Sequence, residues 1–204
     1  MKPREPSRTA IVVAKSQALV GSSPDTAALV PPDAREFVNT SLQLNGHGRF
    51  ARHLRQAWFR RIVHLYERLM IPGLALHHAL RKQVVERIVR RELRDNATQV
   101  VQIGAGFDPL TFRLHRQFPY ADFIELDHPD TQVHKRRVIG ALGGPGDNLA
   151  LQPVDLSNPD ANITIATSRR TVVIIEGVLM YFDPDAVRRV LRHIRKQQRC
   201  ANGR

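Results

Sequence analysis

Cysteine is almost missing from this chain, with Cys200 the only one in 204 residues. No internal disulfide can form, and zinc centres of the cysteine-rich kind are excluded, so no metal is expected. The scarcity fits a reducing, cytoplasmic setting. Aromatic residues are few, at 6% with a single Trp, and they do not alternate with the basic residues. A stacking platform for single-stranded nucleic acid needs that alternation. No apolar run approaches the roughly 18 residues that a membrane span requires. Basic residues precede an apolar patch near the start, but Lys15, Ser16 and Gln17 interrupt it, which argues against a secretory signal. Acidic residues are outnumbered, 19 against 31 Lys and Arg, for a formal charge of +12. That balance suits an arginine-rich solvated surface and equally a basic face that draws nucleic acid. The basic residues are spread from Arg49 to Arg199, so charge alone does not choose between the two.

What is present reads as a soluble globular chain, 42% hydrophobic and 25% charged, long enough to bury a real core. Residues 1–46 hold most of the turn punctuation, at Ser22-Ser23-Pro24, Pro31-Pro32-Asp33 and Asn45-Gly46. A short helix is expected from Asp33, as N-cap, through Leu42. Leu54, Trp58, Ile62 and Leu65 recur at three- and four-residue steps as one helical stripe. Ile71-Pro72-Gly73 breaks it, and Leu80, Val84, Val85, Ile88 and Val89 make a second, with Arg81, Lys82, Arg87 and Arg90 mostly off it. Residues 1–97 therefore read as an N-terminal helical cap.

Near Ala97 the periodicity changes. Residues 100–103, VVQI, form a short β-branched run ending at glycine, as buried parallel strands do. A helix is expected over 110–118, a strand over 122–127, a helix over 129–142 and a strand over 149–155. TVVIIEGVLMY, 171–181, contains a fourth strand. Asp183-Pro184 then caps an amphipathic helix carrying Val187, Val190, Leu191 and Ile194. This is the order of an α/β, doubly wound domain over 98–204. An open parallel sheet normally continues past such a helix, yet a polar tail, Arg195 to Arg204, follows Ile194. The chain is therefore expected to be C-terminally shortened, with an incomplete sheet.

The chemistry-bearing turn is VVQIGAGFDP, Val100 to Pro109. Glycines between a strand and a helix let backbone approach a ligand without Cβ interference, although a tight turn with no ligand uses them too. Asp127 ends the second strand 21 residues after Gly106, where a carboxylate can accept from both hydroxyls of a ribose. Glu125 points to the same strand face, and either carboxylate could instead pair with a basic residue such as Arg113 or Lys135. A dinucleotide fingerprint places its third glycine where this chain has Pro109, and Asp108 brings a negative charge beside it. A carboxylate there would repel a pyrophosphate. It would suit a ribose-bearing cofactor with a sulfonium and no phosphate, S-adenosylmethionine, over NAD.

VVQIGAGFDPLTFRL, FIELDHPDTQVHKRR and IIEGVLMYFDPDAVRRVL resemble the three signature blocks of the leucine carboxyl methyltransferase-like family of S-adenosylmethionine-dependent O-methyltransferases. The order and intervals match. Ser7-Arg8-Thr9-Ala10 and ALRKQVVERIV, 79–89, are similar to weaker N-terminal elements of the family. The resemblance implies a Rossmann-like class I methyltransferase fold. It implies that Gly104 and Gly106 lie against the methionine end of the cofactor and that Asp127 holds the ribose hydroxyls. Asp155 and Leu156 would flank the adenine, Glu176 would lie near the amino acid part, and Arg81 would meet the cofactor carboxylate. Tyr181 could orient an acceptor or simply pack. His128, His134 and Cys200 receive no chemical role.

The implied reaction is an in-line displacement from a sulfonium onto an oxygen. A carboxylate acceptor is already ionised at neutral pH, so no general base is needed, and the protein contributes alignment and exclusion of water. The acceptor would be a carboxylate of a small molecule or a protein. Three alternatives stand beside this reading: a truncated or degenerate member that binds cofactor without turnover, a basic nucleic-acid-binding protein, and an NAD-dependent enzyme.

Overall fold

A computed structural model describes residues 6–156, 158 and 169–201. Five α-helices come first among the described residues: α1 (Arg8–Ser22), α2 (Pro32–Leu42), α3 (Gly48–His53), α4 (Ala57–Met70) and α5 (Leu74–Arg94). Then follow β1 (Gln99–Ile103), α6 (Leu110–Gln117), β2 (Asp122–Asp127), α7 (Pro129–Ala141), β3 (Leu149–Pro153), β4 (Thr171–Ile175) and α8 (Pro184–Ala201). Proline sets three of the helix starts. Pro32, Pro129 and Pro184 occupy early first-turn positions, where the missing N–H costs no intrahelical bond. Asp183 accepts from the Ala186 N–H at 2.8 Å, as expected of an N-cap. Asp33 does not cap α2; it lies in the first turn, behind Pro31 and Pro32. The stretch expected as a polar tail is helical to Ala201, and residues 202–204 of that expectation lie outside the described residues. Residues 1–5 of the leader considered above lie outside them as well.

Among the described residues the strands form one parallel sheet in the order β3-β2-β1-β4. The α/β, Rossmann-like arrangement expected from the strand and helix order is therefore present. Ile103 stands opposite Leu126 and Ile175 in register, so the chain leaves β1, β2 and β4 at one level. The path winds outward from β1 through β2 to β3 and then returns to the other side of β1. The carboxyl edge beside β1 is the topological switch point, where open α/β sheets bind ligands.

Side chains alternate between the two sheet faces. Val100, Phe123, Leu149, Leu151 and Ile174 pack with Phe37, Leu42, Leu93, Leu114, Val138 and Ile139 in one continuous core. Helices α1, α2, α5, α6 and α7 all contribute to it, so the helices before β1 share their core with the sheet. On the other face Val101, Ile103 and Leu126 pack with Leu156 and with Val190 and Ile194 of α8.

Helix α5 buries Ala75, His78, Ala79, Val89 and Leu93. The ion pairs Arg81–Glu176 (2.8 Å) and Arg170–Glu92 (3.1 Å) lay it antiparallel along the edge strand β4. The sequence stripes behave differently from a core-facing pattern. Leu54 is buried, but Trp58, Ile62 and Leu65 are 56%, 55% and 59% exposed, and Leu80, Val84 and Ile88 are exposed too.

Candidate functional site

The site is built where β1, β2, β3 and β4 release the chain. Gly104 follows β1 with φ +69° and Gly106 has φ +50°, a region that favours residues without Cβ. A Cβ on Gly104 would lie 2.7 and 2.8 Å from Val178 side-chain atoms, so the glycine lets the post-β4 loop close over the turn. The Gly104 N–H continues the ladder to the Leu126 carbonyl at 2.7 Å. Asp127 then reaches across the turn. One of its carboxylate oxygens accepts from the Gly106 N–H and the other from the His128 N–H at 2.7 Å. Burial raises the Asp127 pKa above the ordinary carboxylate value, while the two N–H groups work against that shift.

Gly104, Asp127, Asp155, Leu156 and Tyr181 line one cleft of about 870 Å³. Its size lies within the roughly 300–1,000 Å³ usual for small-molecule sites. Val154, Leu156, Val178 and Phe182 make part of its wall apolar, and Ser7, Arg8, Thr9 and Thr131 border it from α1 and α7. The Thr9 hydroxyl lies 2.9 Å from the Tyr181 hydroxyl, joining the start of α1 to the turn after β4. β3 ends at Pro153, two residues before the expected boundary, so Asp155 and Leu156 sit in the loop beyond it. Tyr181 ends a 3₁₀ turn, Leu179–Tyr181, rather than the strand itself.

Three expected site residues lie outside the cleft wall. Gly106 faces α1, where a Cβ would meet the Ala10 methyl at 3.2 Å. Arg81 and Glu176 form a separate ionic cluster with Lys82 and Asp108. The Arg81 Nε donates to Glu176 Oε1 at 2.8 Å, and Lys82 Nζ lies 2.9 Å from the same oxygen. Lys82 also meets Asp108 Oδ2 at 2.6 Å. Glu176 Oε2 is buried without a hydrogen-bond partner among the described residues.

Asp108 corrects the charge argument drawn from the turn. Its carboxylate does not face the cleft. It points into the core, accepting from Lys82, from Gln102 Nε2 at 2.7 Å and from the Leu110 N–H at 3.0 Å. Burial alone would raise its pKa, but the Lys82 ammonium, together with Lys135 and the Gln102 amide, reverses that and holds it below the usual range. Burial likewise lowers the Lys82 pKa, and Asp108 and Glu176 overcome it, leaving the ammonium above its ordinary value. Asp108 presents no free negative charge to a ligand.

Lys82 is the residue that sequence reasoning missed. Lys135 is completely buried, pairs with Glu125 at 2.6 Å and donates to the Asp108 carbonyl at 2.7 Å. The pairing of Glu125 with Lys135 was one of the alternatives open in the sequence. Arg113 instead meets Asp33 at 2.8 Å and Glu86 at 2.6 Å. Nothing in helical periodicity separates Lys82 from the surface lysines; what distinguishes it is the pair of buried carboxylates, Asp108 and Glu176, that it bridges. His128 caps α7 through Nδ1, which accepts from the Asp130 N–H at 3.2 Å. No group of three His, Cys, Asp or Glu that could hold a metal occurs among the described residues. None of the described helices is long and apolar enough to cross a membrane.

The leucine carboxyl methyltransferase family model matches residues 10–195. Among solved structures, the chain is similar to the pyocyanin biosynthetic protein PhzM, with 15% identity, a TM-score of 0.47 and 86% of this chain covered. It is also similar to PigF, solved with SAH, at 16% identity, a TM-score of 0.43 and 81% coverage. A third is human N-acetylserotonin methyltransferase in complex with SAM, at 13% identity, a TM-score of 0.35 and 72% coverage. The chain spans about half the length of these proteins, covering 55%, 56% and 48% of them. No curated protein sequence matches it.

Proposed function

This chain belongs to the leucine carboxyl methyltransferase family, and from that premise we propose that it is an S-adenosylmethionine-dependent O-methyltransferase acting on a carboxylate of a small molecule or a protein. The observation that supports this most is the convergence of Gly104, Asp127, Asp155 and Leu156 on one cleft at the carboxyl edge of the sheet.

The residues fit such a cofactor in chemical type. Gly104 offers bare backbone at φ +69°, Asp127 offers carboxylate lone pairs beside the turn, and Leu156 with Val154 offers an apolar wall. In this reading Asp127 accepts from the ribose hydroxyls and Asp155 and Leu156 flank the adenine. Gly104 and Gly106 border the methionine end. Arg81 would serve the cofactor carboxylate, and Glu176, with one oxygen unsatisfied, would serve the amino group. When bound, the cofactor supplies a methyl group on a sulfonium, a good leaving group. The protein's part is to bind, align and exclude water. A carboxylate acceptor needs no proton removed, so the reaction calls for no general base. Tyr181, which lines the cleft and shares a hydrogen bond with Thr9, would orient the acceptor in this reading.

Isothermal titration of the folded protein with S-adenosylmethionine tests the reading. Saturable binding with one site per chain is expected, reduced by substitution of Asp127. No heat of binding in folded protein, together with none for a longer chain of the same sequence, refutes it.

A further inference from the structure

A second cavity lies away from the cleft, between the C-terminal half of α1, helix α2 and helix α3, with a volume of about 510 Å³. Three arginines line it, Arg35 from α2 and Arg52 and Arg55 from the end of α3 and beyond, together with Asn39 and Gln43. No Asp or Glu lines it. Elsewhere in the described structure Lys82, Arg113 and Lys135 each contact a carboxylate within 2.8 Å. Among the described residues none of these three arginines has a carboxylate partner, and the buried Nε of Arg35 has no hydrogen-bond partner.

The cavity is also shaped around one of them. A Cβ on Gly21 would lie 2.8 Å from Arg35 Cγ and 2.9 Å from Cδ. The bare face of α1 therefore seats the stem of Arg35 and leaves its guanidinium at the cavity wall. Only a long 3.5 Å contact to the Gly21 carbonyl holds that group. Three like charges around one concavity repel one another unless an anion enters, and a planar guanidinium fork matches an oxyanion bidentately. A phosphate monoester carries about −1.5 to −2 charge and three strong acceptor oxygens near neutral pH. A lone carboxylate would neutralise only one arginine.

We propose that this cavity binds a small phosphorylated molecule, with Arg35, Arg52 and Arg55 on the phosphoryl oxygens and Asn39 and Gln43 on the remaining polar groups. The cavity holds a metabolite-sized ligand and not a folded polymer. Thr9, at the cleft, and Gly21, at this cavity, are separated by about 18 Å along α1. Occupancy of the two sites is therefore separable.

The experiment titrates the full chain with inorganic pyrophosphate in 150 mM salt, followed by calorimetry and by the shift in Tm. Saturable binding is expected in the wild type. Arg52 and Arg55 are both exposed, so the R52Q/R55Q variant should fold, and its affinity should fall at least tenfold. R35K, which keeps the charge and loses the fork, should weaken binding several-fold. S-adenosylmethionine affinity of R52Q/R55Q should equal that of the wild type, which separates this site from the cleft. Absence of saturable pyrophosphate binding overturns the proposal, as does binding undiminished in R52Q/R55Q. Citrate binding as tightly as pyrophosphate overturns the phosphoryl assignment. Loss of RNA binding in the same variant, with no pyrophosphate binding in the wild type, assigns the arginines to nucleic acid instead.

Discussion

Replacing Lys82 by Met removes the cation that sits between two buried carboxylates. Its ammonium lies 2.6 Å from Asp108 Oδ2 and 2.9 Å from Glu176 Oε1. Glu176 would retain Arg81, but Asp108 would be left with neutral donors, Gln102 Nε2 and the Leu110 N–H, as its hydrogen-bond partners. Breaking a buried pair by removing one partner costs about 3–5 kcal/mol, whereas an exposed pair is worth about 0–1. Lys82 is 19% exposed and Asp108 5% in their side chains, which places the pair with the buried class. Met fills the volume of the stem, so a loss of about 3 kcal/mol is expected. At about 2–4 °C per kcal/mol for a chain of this size, Tm should fall by about 6–12 °C. K82M/D108N leaves no orphaned charge at Asp108 and should recover at least half of that loss.

The pH dependence gives the sharper readout. In the wild type the folded pKa of Asp108 lies below its unfolded value. Its contribution is therefore present above the unfolded value and is lost only as pH falls through the lower, folded one. In K82M only Lys135 and the Gln102 amide still oppose burial, and the folded pKa is expected to rise above the unfolded value. The folded state then binds the proton more tightly, and stability increases as pH falls toward 5. Urea unfolding at pH 7 and pH 5 should show the gap between wild type and K82M shrinking at the lower pH. A loss below 1 kcal/mol, or a gap of the same size at both pH values, refutes the argument.

Asp127→Ala should weaken S-adenosylmethionine binding on the order of 100-fold in calorimetry, since two hydrogen bonds to an ionised acceptor are worth about 1.5–3 kcal/mol each before partial compensation by water. Because burial raises the Asp127 pKa, cofactor affinity should be full above that folded value and decline as pH falls through it, with a midpoint above the ordinary Asp range. A flat profile from pH 7 down to 4 contradicts an ionised Asp127 in binding. Gly104→Ala forces φ +69° on a residue with a Cβ and a 2.7 Å clash with Val178; a stability loss of about 1–3 kcal/mol is expected by thermal unfolding, with cofactor binding abolished. Gly144→Ala, also at positive φ but with open space around its Cβ, should cost only the backbone part of that penalty.

The half of the chain from β1 onward was legible because its signals are local. VVQI, DFIELD and TVVII are short runs bounded by turn residues, and each is a strand in the sheet. The residues closing those strands fall on one edge by register, which is why Gly104 and Asp127 could be brought together from spacing, whereas Asp155 and Leu156 followed only from the family resemblance. The first half was harder. Lys15, Ser16 and Gln17 interrupt the apolar patch, so α1 gave no clean period, yet Ser16 and Gln17 are buried within it. Ser16 is accommodated by donating to the Val12 carbonyl one turn back, at 3.1 Å. The stripes on α4 and α5 carry the opposite lesson. Periodicity shows that a helix has an apolar face but not that anything covers it, and Trp58 and Ile62 remain exposed. Contacts between distant cations and carboxylates, such as Lys82 with Asp108, leave no periodic trace at all.

Asp108 shows how a correct inference can rest on the wrong force. A carboxylate in a strand-to-helix turn can face the ligand or the core, and spacing does not say which. Here the core side has Lys82, so the charge is neutralised and repulsion of a pyrophosphate disappears as an argument. A different obstacle takes its place. A dinucleotide site uses the free N–H groups at the start of the helix after β1. In this chain Pro109 has no N–H to offer, and the Leu110 N–H is already given to Asp108 Oδ1 at 3.0 Å. Gly106, the second glycine of the turn, gives its N–H to Asp127. Gly106, Pro109 and Leu110 therefore offer a pyrophosphate no free N–H. What remains open is a carboxylate facing a cleft, which recognises hydroxyls and amines rather than phosphates. The Asp-Pro that displaces the third glycine therefore works through donor supply, and Asp108→Asn, which keeps an acceptor for Leu110, should leave the cleft's preference against phosphate intact.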